Sequence, residues 1–194
     1  MRTTVVLIAL LMTVAGCVSE NAPVERNDDH STDPMPYAAT FPAWNGTSQA
    51  NASFTNASVA SMAYMAYFSA PWCAHCETTI DAYDQVLPNG TMFVFSMEAR
   101  EEYANMSEWH DSTESKLNRT VDRPFILNPE LAKTVGVQSI PYAVFVNEQG
   151  YVFYERIGRI TNLTDIQYLW ETTLEATFDP VTGWNQTVAD PAAV

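Results

Sequence analysis

The sequence predicts an α/β domain over residues 60–178, and three observations predict it. Between Met62 and Met97 an apolar run, an amphipathic helix pattern and a second apolar run follow one another. Two apolar-aromatic runs flank a turn tetrapeptide at 147–150, and a helix with a start signal follows near residue 164. Strands interleaved with helices around one apolar core are the mark of the α/β class.

Each element has its own warrant. "MAYMAYFSA" (Met62–Ala70) is a short continuous apolar run, as in a strand buried on both faces. From about Cys73 to Val86, Cys76, Ile80, Tyr83 and Leu87 fall on one face of a 3.6-residue period, and Pro88-Asn89-Gly90 stops the helix. "TMFVFSM" (Thr91–Met97) is the second strand, so two cysteines lie where the first strand meets the helix. Residues 98–123 are polar and carry one helix near Ser107–Leu117; Arg123–Leu127 is a short strand or an extended approach. Asn128 and Pro129 suit the N-cap and first turn of a helix to about Val135, which Gly136 ends. "PYAVFV" and "YVFYERI" flank Asn147-Glu148-Gln149-Gly150, a hairpin signature. Thr164-Asp165-Ile166-Gln167 has capping-box form and opens a helix whose Ile166, Leu169, Trp170 and Leu174 share a face. Residues 179–194 read as a flexible tail. Residues 17–59 lack periodicity, are rich in Asn, Ser, Asp and Pro, and read as a disordered tether.

With 47% hydrophobic residues the 194-residue chain can build a core, and its net charge of −14 would repel nucleic acid and anionic lipid headgroups. Arg2 followed by the apolar run Thr3–Val14 is a secretory start, too short to span a bilayer as a helix. Its end, "VAGC" (Val14–Cys17), resembles a prokaryotic lipobox, which implies a signal peptide over residues 1–16 and lipid on the Cys17 sulfur. Spending Cys17 on lipid accounts for the odd cysteine count. Asn-x-Ser/Thr occurs at Asn45, Asn51, Asn56, Asn89, Asn105, Asn118, Asn162 and Asn185. Chance, from the frequencies of these residues, gives about two, so the excess suggests N-glycosylation in an extracytoplasmic setting.

The chemistry concentrates in "FSAPWCAHCET" (Phe68–Thr78), which holds Cys73 and Cys76. A tetrahedral zinc site needs four ligands; the chain has no second cysteine pair, and His30 and His110 lie in the tether and the polar insert. A structural disulfide closing so small a loop removes little chain entropy. A redox pair has a mechanism: at a helix N-terminus Cys73 is favoured as the thiolate nucleophile, and Cys76, one turn on, resolves the mixed disulfide. His75 favours the Cys73 thiolate, whereas Glu77 and Asp81, if close, oppose it.

"YFSAPWCAHC" resembles the strand-to-helix active site of the thioredoxin superfamily, and "VGVQSIPYAVFVNEQGYVFYERIGRI" (Val135–Ile160) resembles its proline segment, terminal hairpin and following glycine. The resemblance implies a thioredoxin-like fold, a central mixed β-sheet flanked by helices. It implies a cis Ile140–Pro141 peptide facing the cysteines, and a docking surface or redox tuning from Trp72, Ala74, His75, Ile140, Pro141 and Tyr142. The polar insert and "FILNPELAKTVGV" are similar to anchored proteins of the TlpA/ResA type. Two positions depart: Tyr67 stands where thioredoxins carry a buried acid, and the partnering lysine is lost at about Ser96. The reading that follows is an extracytoplasmic, lipid-tethered thiol–disulfide oxidoreductase acting on cysteines of exported proteins. A Cys73–Cys76 disulfide would be its redox centre, with no other cofactor, and a membrane protein could recycle it. A thioredoxin-fold binding or chaperone module and a copper-handling assembly factor are the alternatives.

Overall fold

A computed structural model describes residues 38–188. Cys17 and the signal-peptide segment lie outside them.

In chain order the elements are β1 (Asn45–Thr47), β2 (Ser53–Thr55), a 3-10 turn (Asn56–Val59), β3 (Tyr64–Ser69), α1 (Ala74–Val86), β4 (Met92–Ser96), α2 (Asn105–Leu117), β5 (Phe125–Leu127), α3 (Pro129–Val135), β6 (Tyr142–Val146), β7 (Val152–Ile157), α4 (Leu163–Glu175), β8 (Phe178–Asp179) and β9 (Gly183–Trp184). Five strands form one mixed sheet in the order β5-β4-β3-β6-β7. The β3–β4 and β4–β5 pairs are parallel, and β3–β6 and β6–β7 are antiparallel. This is the thioredoxin-like α/β fold that the motifs implied.

Side chains alternate across the sheet, which gives two apolar layers. Met65 and Tyr67 face a layer with Ile80 and Tyr83 of α1, Trp109 of α2 and Leu169 of α4. Tyr64, Ala66 and Phe68 face the other, with Leu131 of α3 and the N-terminal residues Phe41, Trp44 and Val59. All six residues of β3 are buried, as its unbroken apolar run predicts. The predicted face of α1, Cys76, Ile80, Tyr83 and Leu87, is buried throughout. At its end the buried Arg123 guanidinium donates to the carbonyls of Leu87 (2.5 Å) and Pro88 (2.7 Å) and to Asp84 Oδ1 (2.5 Å), placing a cation where the helix dipole is negative. Asn128 caps α3 as predicted, its Oδ1 accepting from Leu131 N–H at 3.0 Å.

Three expectations are corrected. Residues 38–59 of the tether expected over 17–59 are ordered, and residues 17–37 lie outside the described residues. Trp44 packs on Phe93 (5.2 Å between ring centroids) and Phe95 (5.0 Å), and Gln49 bonds the Phe125 N–H (2.8 Å) and the Arg123 carbonyl (3.0 Å) at the β5 edge. Its anchors Phe41, Trp44 and Val59 are too widely spaced to show a period, so only long-range packing orders it. As far as residue 188, the flexible tail expected over 179–194 is ordered: it holds the end of β8 and all of β9, closed by Trp184 packing on Phe178 at 5.3 Å and Phe153 at 5.1 Å. Third, α4 is capped by Asn162, whose Oδ1 accepts from Thr164 N–H at 3.0 Å, and not by Thr164. Its buried face uses Thr173; Leu174 is 45% exposed.

Candidate active site

The β3–β4 register pairs Ser69 with Ser96, so both strands end at the same edge of the sheet. That edge is where the chain turns into α1. Cys73 is the N-cap of α1, with an N–H donated to Ala70 O at 3.0 Å and no side-chain capping bond. Cys73 and Cys76 form a disulfide with Cα atoms 5.3 Å apart. Both cysteines are buried (7% and 1% exposed), while Ala74 and His75 are exposed. The first-turn amides and dipole of α1 therefore favour a thiolate on Cys73 once the bond is reduced.

The proline segment enters at the same place. Tyr142 pairs with Phe68 across β3–β6, which brings the preceding Ile140–Pro141 peptide, cis in this structure, beside the strand end that leads to Cys73. Pro141 is buried and Ile140 half-buried. The Pro141 carbonyl accepts from Gly158 N–H at 2.8 Å, and Gly158 has φ +88°, a conformation that suits glycine. Tyr142 lies on the opposite sheet face from Cys76, its ring edge-on to Phe68 at 6.2 Å. Burial, and then its hydrogen bond to Glu155, push its hydroxyl pKa up.

Tyr67, where the resemblance calls for an acid, is fully buried behind the pair. Its hydroxyl donates to Cys76 O at 3.1 Å, and burial raises its pKa well above the ordinary value near 10.0. The group is neutral, so Tyr67 itself brings no charge to this side of the pair. The two acids expected to oppose a thiolate are both paired. Glu77 pairs with Lys116 Nζ, and Asp81 accepts from Arg119 Nη2 at 2.6 Å. Sequence reasoning missed Lys116 and Arg119, which reach α1 from the end of α2 and just beyond it.

It also missed Glu98 and Arg100. Trp72 is 64% exposed, and its indole N–H donates to Glu98 Oε2 at 3.2 Å. Arg100 grips the same carboxylate, Nε to Oε1 and Nη2 to Oε2, both at 2.8 Å. These bonds hold the Glu98 carboxyl down to about 2. Away from the pair, His110, Asp111 and Glu114 bring three potential ligand atoms within 4.8 Å, but His110 Nε2 is already engaged with Val121 O at 2.8 Å.

Among the sequon asparagines, Asn45, Asn51, Asn89, Asn118, Asn162 and Asn185 are exposed, and Asn56 and Asn105 are half-buried. The carboxamide nitrogens of Asn89 and Asn185 donate to Asp122 Oδ2 (2.9 Å) and Glu175 O (3.0 Å). Asn56 is bonded on both sides, to Trp44 N–H and to Pro42 O. Among the described residues, no helix is long and apolar enough to cross a membrane.

No protein-family model and no curated protein matches the sequence. Solved structures do match. A thiol:disulfide interchange protein of the thioredoxin family from Chlorobium tepidum has a TM-score of 0.57 at 19% identity, over 71% of this chain and 97% of its own. A secreted disulfide oxidoreductase of Mycobacterium tuberculosis scores 0.51 at 18% identity, over 66% and 94%. An exposed lipoprotein thioredoxin of Streptococcus pneumoniae scores 0.50 at 16%, over 66% and 99%. The strand order, the cysteine pair at the start of α1 and these likenesses agree: the chain has the thioredoxin fold.

Proposed function

We propose that the protein is an extracytoplasmic thiol–disulfide oxidoreductase, tethered by lipid on Cys17, that exchanges disulfides with cysteines of other exported proteins. The observation that carries the reading is the Cys73–Cys76 disulfide at the N-cap of α1, at the edge of the sheet where β3 ends and β6 begins after the buried Pro141. The exchange is a two-electron transfer between a dithiol and a disulfide. A substrate thiolate attacks Cys73 Sγ, the Cys73–Cys76 bond breaks, and Cys76 leaves as a thiolate that takes a proton. The substrate's second thiolate then attacks its own sulfur in the mixed disulfide. A substrate disulfide forms, and Cys73 leaves as a thiolate that the helix terminus stabilises. The reverse sequence reduces a substrate disulfide. The cysteine pair carries both electrons, so no further cofactor takes part; after oxidising a substrate the reduced pair passes its two electrons to the disulfide of a membrane partner and closes again.

With Glu77 and Asp81 paired, the terminus of α1 and His75 act on Cys73 with less opposition, which favours the oxidising direction. The secreted and lipoprotein character of two of the similar structures supports the extracytoplasmic placement.

Wild-type protein is expected to speed isomerisation of a scrambled disulfide substrate, and Cys73→Ser to abolish the effect. Cys76→Ser should accumulate a mixed disulfide with the substrate, visible on a non-reducing gel. Equal activity in Cys73→Ser would leave a binding module as the better reading. Cys17→Ser should move the protein from the membrane pellet to the soluble fraction; a variant that still pellets is held by something other than lipid on that sulfur.

A further inference from the structure

An exposed tryptophan beside a reactive cysteine is useful for docking only if its ring is where the substrate expects it. Trp72 has two freely turning side-chain bonds and is 64% exposed, so its own packing does not fix it. The fixing comes from the neighbouring strand. The parallel register sets Ser69 beside Ser96, and Met97 N–H donates to Ser69 O at 3.0 Å, so the loops leaving β3 and β4 run side by side. Trp72, three residues past Ser69, thereby meets Glu98, two residues past Ser96.

The Glu98 carboxylate is saturated. Oε1 accepts from Arg100 Nε at 2.8 Å and from the Arg100 backbone N–H at 3.1 Å; Oε2 accepts from Arg100 Nη2 at 2.8 Å and from Trp72 Nε1 at 3.2 Å. A carboxylate offers about four lone-pair sites, so none is left for a proton or a substrate group. Arg100, 86% exposed along its side chain, has little packing of its own and supplies the compensating charge. Without it, a bare carboxylate on the Trp72 indole would repel an incoming thiolate that docks there.

We infer that Glu98 is a positioning residue for substrate docking: it fixes the Trp72 indole beside Cys73, and Arg100 neutralises it so that the clamp adds no anionic barrier at the entrance. The inference rests on the oxidoreductase reading and extends it to a side-chain clamp supplied by β4. Docking a protein onto an unfixed side chain loses the advantage of preorganisation, whereas a small thiol needs no platform.

The test is steady-state exchange with a protein disulfide, alongside the bimolecular rate with dithiothreitol. Glu98→Ala should raise KM for the protein substrate by roughly 3- to 10-fold, the scale of freeing one side chain at an interface, with kcat held. The dithiothreitol rate should stay within about twofold, since it reads the disulfide without the platform. Glu98→Gln, whose amide oxygen still accepts from the indole, should recover part of the loss. Trp72→Phe, which keeps a ring but has no N–H, should raise KM as Glu98→Ala does, and the double variant should add nothing further. An unchanged KM in Glu98→Ala, or single effects that multiply in the double variant, overturns the inference. A wild type that turns over neither the protein disulfide nor dithiothreitol overturns the oxidoreductase reading beneath it.

Discussion

At position 67 the strand leading to the cysteine pair carries a phenol where the resemblance calls for a carboxylic acid. The consequence is electrostatic. A buried acid can hold charge behind the disulfide, whereas Tyr67 gives one neutral hydrogen bond to Cys76 O and lays its ring against Tyr83 at 5.7 Å. Removing the phenolate from water is the main cost of ionising it, so its pKa rises well above 10.0. Burial does the same to Tyr64, pushed up to about 12, and raises Tyr83 and Tyr142. For these four groups the folded pKa lies above the unfolded one. Their contribution is therefore fully present below about pH 10 and is lost as pH rises toward 12 and beyond, because the unfolded chain ionises first. Each such group withdraws about 1.4 kcal/mol per pH unit in that window. The urea midpoint should accordingly be flat up to pH 9 and fall steeply between pH 10 and 12, with a shallower fall in Tyr67→Phe. A midpoint unchanged at pH 11.5 would contradict this account of the tyrosines.

The elements that the sequence made legible are those whose signal is local. The face of α1 appears as a 3.6-residue period, and Asn128-Pro129 marks the start of α3 because a cap acts within one turn. The cysteines fell at the strand-to-helix junction for the same reason. Where two local signals compete, sequence reading has no arbiter. Asn162 and Thr164 both suit an N-cap, and the structure uses Asn162. Polarity misleads in the same helix: Thr173 is fully buried because its hydroxyl donates to Leu169 O at 2.7 Å, so burial leaves nothing unsatisfied, while Leu174 turns outward. The side chains that shape the site's charge were invisible for a different reason. Lys116 and Arg119 reach Glu77 and Asp81 from over thirty residues away, and Glu98 reaches Trp72 only through the β3–β4 register. No spacing rule along the chain encodes such meetings; they exist once the sheet has formed.

Across the whole molecule, the covering of the two sheet faces is unequal. Among the described residues, three α-helices of 13 residues, α1, α2 and α4, cover one face, and of the α-helices only α3, with 7 residues, covers the other. Because β3, β4 and β6 are buried on both sides, something else must complete the second layer, and the segment from residue 38 does so. Phe41 meets Tyr64 edge-on at 5.9 Å, and Trp44 fills the space between Tyr64, Phe93 and Phe95. Gly46 lies so close to the sheet that an added Cβ would come within 2.2 Å of Ile126 Cγ2, a branch held rigidly at its own Cβ. The segment is thus part of the core that supports the active-site edge. Trp44→Ala should cost about 3–5 kcal/mol, the range for emptying a buried aromatic site, read as a lower urea midpoint with a single cooperative transition. Gly46→Ala should destabilise by forcing the segment away from β5, with the same readout. A chain beginning at residue 60 should bind a hydrophobic dye and lose the cooperative transition, since the aromatic face is then open to water. If instead Trp44→Ala unfolds at the wild-type midpoint, the second layer closes without this segment, and the segment belongs to the tether as its composition first suggested.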